Sequence, residues 1–180
     1  MDPLEECTLL GASLLGAQKL EFALYGVVAH LSHLDEAQKE KRFRELTPEK
    51  FLRGSVEDLK ITFGQLEKVF GKKLLISNDE LIKFIKDRNL IAHNYWRLTK
   101  ADVKGSEQLN DPETFLKDFV SMCSYWQKVF NGMVFMLMEA AAKKENRTDE
   151  VSFTDNQKKD IEAYLKHVEK TLNQQNQADT

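Results

Sequence analysis

The sequence predicts an all-α fold: an up-and-down four-helix bundle with an extra C-terminal helix. Three observations carry this expectation. Apolar residues recur at steps of three and four over long stretches, which is the spacing of one helix face. Residues able to cap a helix precede most of those stretches. Only eight glycines and three prolines occur in 180 residues, too few turn formers for a many-stranded β fold.

Taken in order, Asp2-Pro3 places a capping carboxylate before a proline in the first turn. A long helix is expected from there to about Leu34, with Leu10, Leu14, Ala17, Leu24, Val28 and Leu31 along one stripe. Gly11, Gly16 and Gly26 weaken a helix unless another helix approaches closely there. Glu21 falls on the stripe. The simpler reading leaves it at the stripe's edge, reaching water; the alternative is a carboxylate that orients Arg88 or His93. His30 and His33 suit a helix C-terminus better than a metal. The charged segment from Asp35 to Arg44 reads as a surface helix or connector. Thr47-Pro48 opens a short helix to Arg53. Ser55 then caps another, carrying Val56, Leu59, Phe63, Leu66 and Phe70 until Gly71.

Ser77-x-x-Glu80 is a capping box before Leu81, Phe84 and Ile85. Arg97 to Asn110 lacks periodicity and is expected to be a loop. Asp111-Pro112 starts the longest helix, which is expected to end near Glu145. Phe115, Phe119, Met122, Trp126, Val129, Met133, Met136 and Ala140 make a sustained seam along it. Thr154-x-x-Gln157 opens a terminal amphipathic helix. The expected organisation is a bundle over 1–145, a linker and accessory helix over 146–172, and a disordered tail over 173–180.

Hydrophobic residues at 42% and charged residues at 31% match an ordinary water-exposed globular chain. A net charge of −3 argues against an extensive basic nucleic-acid surface and leaves room for a local one. Cys7 and Cys123 form no CxxC pair, and no His/Cys cluster has zinc-like spacing, so no metal and no cofactor are expected. Free thiols, acidic Asp2, Glu5 and Glu6 in place of a signal peptide, and the lack of a bilayer-length apolar run point to a cytoplasmic protein with no membrane partner.

One stretch is unlike the others: Arg88-Asn-Leu-Ile-Ala-His93-Asn-Tyr95-Trp96. On a continuous α-helix, Arg88, Ala92 and Tyr95 form one stripe, and Asn89, His93 and Trp96 the stripe beside it. Basic residues near a helix end, and aromatics at a core edge, are common on their own. The combined spacing of Arg, His and Tyr arises by chance in about three of a thousand chains of this composition. From Lys83 to Lys104 the charges sum to +4, which suits either a solvated surface or a phosphate-attracting rim.

Arg88-x4-His93-x-Tyr95 resembles the signature of the HEPN superfamily (higher eukaryotes and prokaryotes nucleotide-binding), in particular its HepT-like toxins. The polar Asn89 directly after the arginine fits the same pattern. The resemblance implies a four-helix bundle over about Pro3 to Lys144, with the motif at the end of the third main helix. It further implies a homodimer with a composite cleft, and metal-independent RNA cleavage leaving a 2′,3′-cyclic phosphate, in toxin–antitoxin or phage-defence biology. Tyr95 would correspond to the tyrosine that a nucleotidyltransferase antitoxin adenylylates.

The residues themselves suit that chemistry. A histidine can move protons near neutrality, and an arginine fork matches phosphate oxygens. His93 is therefore the candidate acid/base and Arg88 the candidate phosphate clamp. Asn89, Tyr95, Arg97 and Lys100 are the candidate RNA contacts. One histidine per chain leaves no second acid, which a two-fold dimer would supply. Two alternatives stand beside this expectation: a non-catalytic nucleotide- or RNA-binding module, and a structural dimer or adaptor.

Overall fold

A computed structural model describes residues 1–31, 78–101 and 108–178, and within these every regular element is helical. The elements are α1 (Pro3–Leu31), α2 (Asn78–Asn89), a π-helical turn (Leu90–Asn94), α3 (Tyr95–Thr99), α4 (Pro112–Lys144), a 3-10 turn (Thr148–Glu150) and α5 (Asp155–Ala178). The short helix from Thr47, the helix from Ser55, the Ser77 half of the capping box and the centre of the expected loop lie outside the described residues.

The caps follow the local sequence. Asp2 Oδ2 accepts from the amides of Leu4 and Glu5, and Asp111 Oδ1 accepts from Thr114 N at 3.0 Å. The Thr154/Gln157 box closes in both directions, Thr154 N donating to Gln157 Oε1 and Gln157 N to Thr154 Oγ1. His30 Nδ1 donates back to the carbonyl of Gly26, one turn earlier, at 2.9 Å. α4 ends in a Schellman turn: Asn146 takes φ 56°, while Arg147 N reaches Ala142 O and Asn146 N reaches Lys143 O. Asparagine tolerates this left-handed position better than most residues.

The core lies between α1 and α4. Leu20, Leu24, Val27 and Val28 meet Leu116, Phe119, Cys123, Val129 and Phe130, all buried. Phe84 of α2 stacks on Phe119 with ring centroids 5.8 Å apart. A Cβ on Gly16 would lie 3.3 Å from Cys123 Cβ, and one on Gly26 would lie 3.4 Å from Val134. Both glycines thus mark close approach of α1 and α4. Gly11 has open space around it, so close packing does not account for that position. The seam along α4 is buried at Phe119, Trp126, Val129 and Met133 and opens to solvent by Ala140.

α5 docks on the other side of α4. Tyr125 Oη lies 2.8 Å from His167 Nδ1, with the His167 ring against Trp126, and Asn131 Nδ2 donates to Asp160 Oδ2. Between these contacts a Cβ on Gly132 would overlap the Asp160 carbonyl oxygen and lie 2.8 Å from Tyr164 Cβ. Two boundaries differ from the sequence expectation. α3 continues the motif helix to Thr99, so the loop cannot begin at Arg97. α5 runs to Ala178, through most of the tail expected to be disordered. Nothing from Asn173 onward is a proline or glycine, and glutamine and alanine extend a helix at little cost.

Gly132→Ala should force α5 off α4 and lower stability by about 1–3 kcal/mol. Gly11→Ala, in open space on α1, should instead raise it by up to about 1 kcal/mol. Urea midpoints of the two variants test both signs, and a neutral Gly132→Ala would mean that α5 is not packed this tightly.

Candidate functional site

The motif straddles a change of helix type. α2 supplies Arg88 and Asn89, the π-turn carries His93, and α3 begins at Tyr95. A π-turn closes its hydrogen bonds five residues apart and so inserts one residue into the α-helical register. The stripes expected of a continuous α-helix therefore do not survive: Ala92 is exposed while Tyr95, three residues on, is buried. Isolated π-turns are uncommon and are frequent at functional sites.

α1 grips this segment at both ends with carboxylates. Glu21 Oε1 accepts from Arg88 Nε at 2.8 Å and from Nη2 at 2.6 Å. Arg88 Nη1 donates to Asn89 Oδ1 at 3.0 Å. Both charged side chains are largely out of water, Arg88 21% and Glu21 15% exposed. Glu21 is thus an ion-pair partner and not, as the simpler sequence reading has it, a carboxylate reaching for solvent. The three bonds use the side edge of the guanidinium and one Nη1 hydrogen. One N–H remains on each terminal nitrogen for another acceptor.

At the other end Glu6 Oε1 accepts from Tyr95 Oη at 2.9 Å, and Glu6 Oε2 lies 3.1 Å from Lys100 Nζ. The phenol's hydrogen bond, followed by the ammonium, holds the Glu6 carboxyl below its ordinary range. Burial, then the Glu6 carboxylate, pushes the Tyr95 phenol up, so it is a neutral donor throughout the physiological range. The Tyr95 ring belongs to the core cluster and is only 6% exposed. This geometry opens neither ring face to a base, and adenylate transfer to Oη requires the bond to Glu6 to break.

His93 is exposed and has no hydrogen-bond or ion-pair partner among the described residues. Arg97 is likewise exposed without an ionic partner there. Trp96 is largely in solvent and so does not take the core-edge position common for such aromatics. Among the described residues no group of three His, Cys, Asp or Glu could hold a metal ion, and no helix is long and apolar enough to cross a membrane. The Cys123 thiol is buried and pushed up to about 12 by burial, so it is no nucleophile. The structure therefore joins Arg88 with Asn89, and Tyr95 with Lys100 through Glu6, and gives His93 and Arg97 no partner among the described residues. Glu6 was missing from the sequence expectation. Nothing in the local sequence sets it apart from its neighbour Glu5 in the same first turn.

No protein-family model matches the chain, no curated protein matches it, and no solved structure matches it. A functional reading therefore rests on these residues and their geometry.

A double-mutant cycle over Glu21→Ala and Arg88→Ala should give a coupling of about 1–3 kcal/mol in urea unfolding; strict additivity would show that the pair is not formed in solution. The Glu6 clamp should also be visible in the pH dependence. Because the Glu6 pKa is lowered on folding, its contribution is present above the ordinary value of 4.5 and lost as pH falls through the folded value. The stability gap between wild type and Glu6→Gln should close as pH drops below that window. A gap of constant size from neutral to acid pH would remove the carboxylate from the account.

Proposed function

We propose that the chain is a metal-independent endoribonuclease of the HEPN type, acting as a homodimer in which Arg88 and His93 of two protomers share one cleft. The observation that carries the proposal is Arg88: Glu21 and Asn89 fix its guanidinium, yet it retains a donor on each terminal nitrogen. A cation restrained in this way is suited to the charge that builds on phosphate oxygens during transfer. The exposed, unbonded ring of His93 sits five residues along, on the π-turn.

The reaction assigned to these groups is transesterification. His93 takes the proton of a 2′-hydroxyl, the 2′-oxygen forms a bond to phosphorus, and the bond from phosphorus to the 5′-oxygen breaks. The second His93 of the dimer, protonated, donates to the leaving 5′-oxygen. The products are a 2′,3′-cyclic phosphate and a 5′-hydroxyl, with no net change in protons. Arg88 of each chain bonds the non-bridging oxygens, and Arg97 and Lys100 attract the neighbouring backbone. A toxin or phage-defence setting, a cytoplasmic location, the four-helix arrangement of the bundle and silencing at Tyr95 by a nucleotidyltransferase antitoxin belong to this proposal through the motif resemblance.

One observation favours a second reading, an RNA- or nucleotide-binding module without cleavage. No described group holds the His93 ring in a chosen tautomer, whereas catalytic histidines are commonly oriented by a carboxylate or carbonyl. Incubating a mixed RNA pool, tRNA included, with the protein in EDTA separates the two. Wild type should leave cyclic-phosphate ends, and His93→Ala should cleave about 100- to 10,000-fold more slowly with its fold intact. Intact RNA with both proteins, together with binding that depends on Arg88, would establish the binding module instead.

A further inference from the structure

We propose that Trp96 is a stacking platform for one unpaired base of single-stranded RNA, next to the phosphodiester at which His93 acts as acid/base; this rests on the RNA-cleaving reading above. The starting point is the contrast between the two tryptophans. Trp126 is 5% exposed and packed among Tyr125, Phe130 and His167. Trp96 is 70% exposed and has no ring partner among the described residues. An indole left this open withholds from the core the largest apolar side chain available.

Its neighbours indicate what covers it. Trp96 and Arg97 on α3 and Lys100 at its end follow directly on His93 of the π-turn, and all four are exposed. The two carboxylates that α1 brings to this helix are already engaged, Glu21 by Arg88 and Glu6 by Tyr95 and Lys100. The strip thus offers an aromatic face between a histidine and the cation of Arg97, with Lys100 beyond them paired to Glu6 and no free acid among the described residues of the strip. Stacking on an aromatic while cations track the backbone is how unpaired nucleotides are held. A paired base is stacked on both faces and has none to offer. A docking helix would need apolar residues one turn either side of Trp96. Those places hold Ala92, His93, Thr99 and Lys100, only one of them apolar.

Trp96 fluorescence tests this directly, because the buried Trp126 is shielded from ligand. The ligand is a short mixed-sequence 2′-O-methyl oligonucleotide, which lacks the attacking hydroxyl and stays intact. Controls are the same backbone without bases, and inorganic phosphate. The oligonucleotide should quench the exposed indole, whereas both controls should not. Trp96→Ala should weaken binding about 5- to 150-fold and Trp96→Phe much less, with the unfolding midpoint of both variants unchanged. Equal affinity of Trp96→Ala and wild type would overturn the platform. So would a Trp96→Ala variant whose main change in sedimentation is loss of self-association, which would make the indole a protein contact. Cleavage by wild type with unaltered KM in Trp96→Ala would overturn the platform and keep the ribonuclease. Base-dependent quenching without any cleavage would support the platform and overturn the ribonuclease.

Discussion

A guanidinium with only a fifth of its surface in water has lost much of its hydration, and Glu21 replaces part of it with two hydrogen bonds to Arg88. Removing either partner leaves the other charge stranded, which costs more than the intact pair contributes. The pair therefore constrains more than itself. Glu21 reaches Arg88 of α2 from the same helix whose Leu20, Leu24 and Val28 are buried in the core with α4, so the two sets of contacts agree on one rotation of α1. The pair also anchors the last turn of α2, so the break in helical register that follows must be absorbed beyond Arg88. Glu6 repeats the arrangement one π-turn later with Tyr95 and Lys100. Between two fixed ends, the five residues Leu90–Asn94 span the distance with a wider turn than an α-helix would use.

That turn separates two kinds of side chain. Ile91 and Tyr95 go inward and complete the core beside Phe84, while Ala92, His93 and Trp96 are left in solvent. In an unbroken α-helix Ala92 and Tyr95 would share a face, and one of them would be misplaced. The extra residue lets the core keep its tyrosine while Ala92 stays in solvent. The helix type at the motif is thus set by packing on one side and by carboxylates on the other. Neither is written in the nine residues themselves.

This distinction governs what was legible in the sequence. The caps at Asp2, Asp111 and Thr154/Gln157 were readable because each depends on a side chain and an amide within three residues. The seam of α4 was readable because burial repeats with the helix, and Gly16 and Gly26 because a missing Cβ announces a close neighbour. Arg88, Asn89, His93 and Tyr95 could be picked out by spacing, but their surroundings could not. The partners of Arg88 and Tyr95 lie 67 and 89 residues away, and no local pattern in α1 distinguishes an acid awaiting an arginine from one awaiting water. The exposure of Trp96 likewise could not be told from the core-edge alternative by spacing alone. The end of α5 was missed because a polar, glutamine-rich stretch resembles a tail in composition while remaining compatible with a helix.

The site that results is uneven in a way that bears on its chemistry. Its cation is restrained by three hydrogen bonds, and its phenol is locked as a neutral donor. Its histidine has no partner among the described residues. Electrostatic stabilisation gains from restraint, because a fixed dipole or charge need not reorganise as the reaction proceeds. Proton transfer needs the histidine oriented only when substrate is present, and apo geometry commonly leaves catalytic bonds unformed until then. On the proposed mechanism a single chain therefore presents a restrained cation for phosphate and an acid/base whose ring is not yet oriented. The two-fold partner in the proposed mechanism supplies what one protomer lacks, a second proton donor and a wall against which the imidazole can be held.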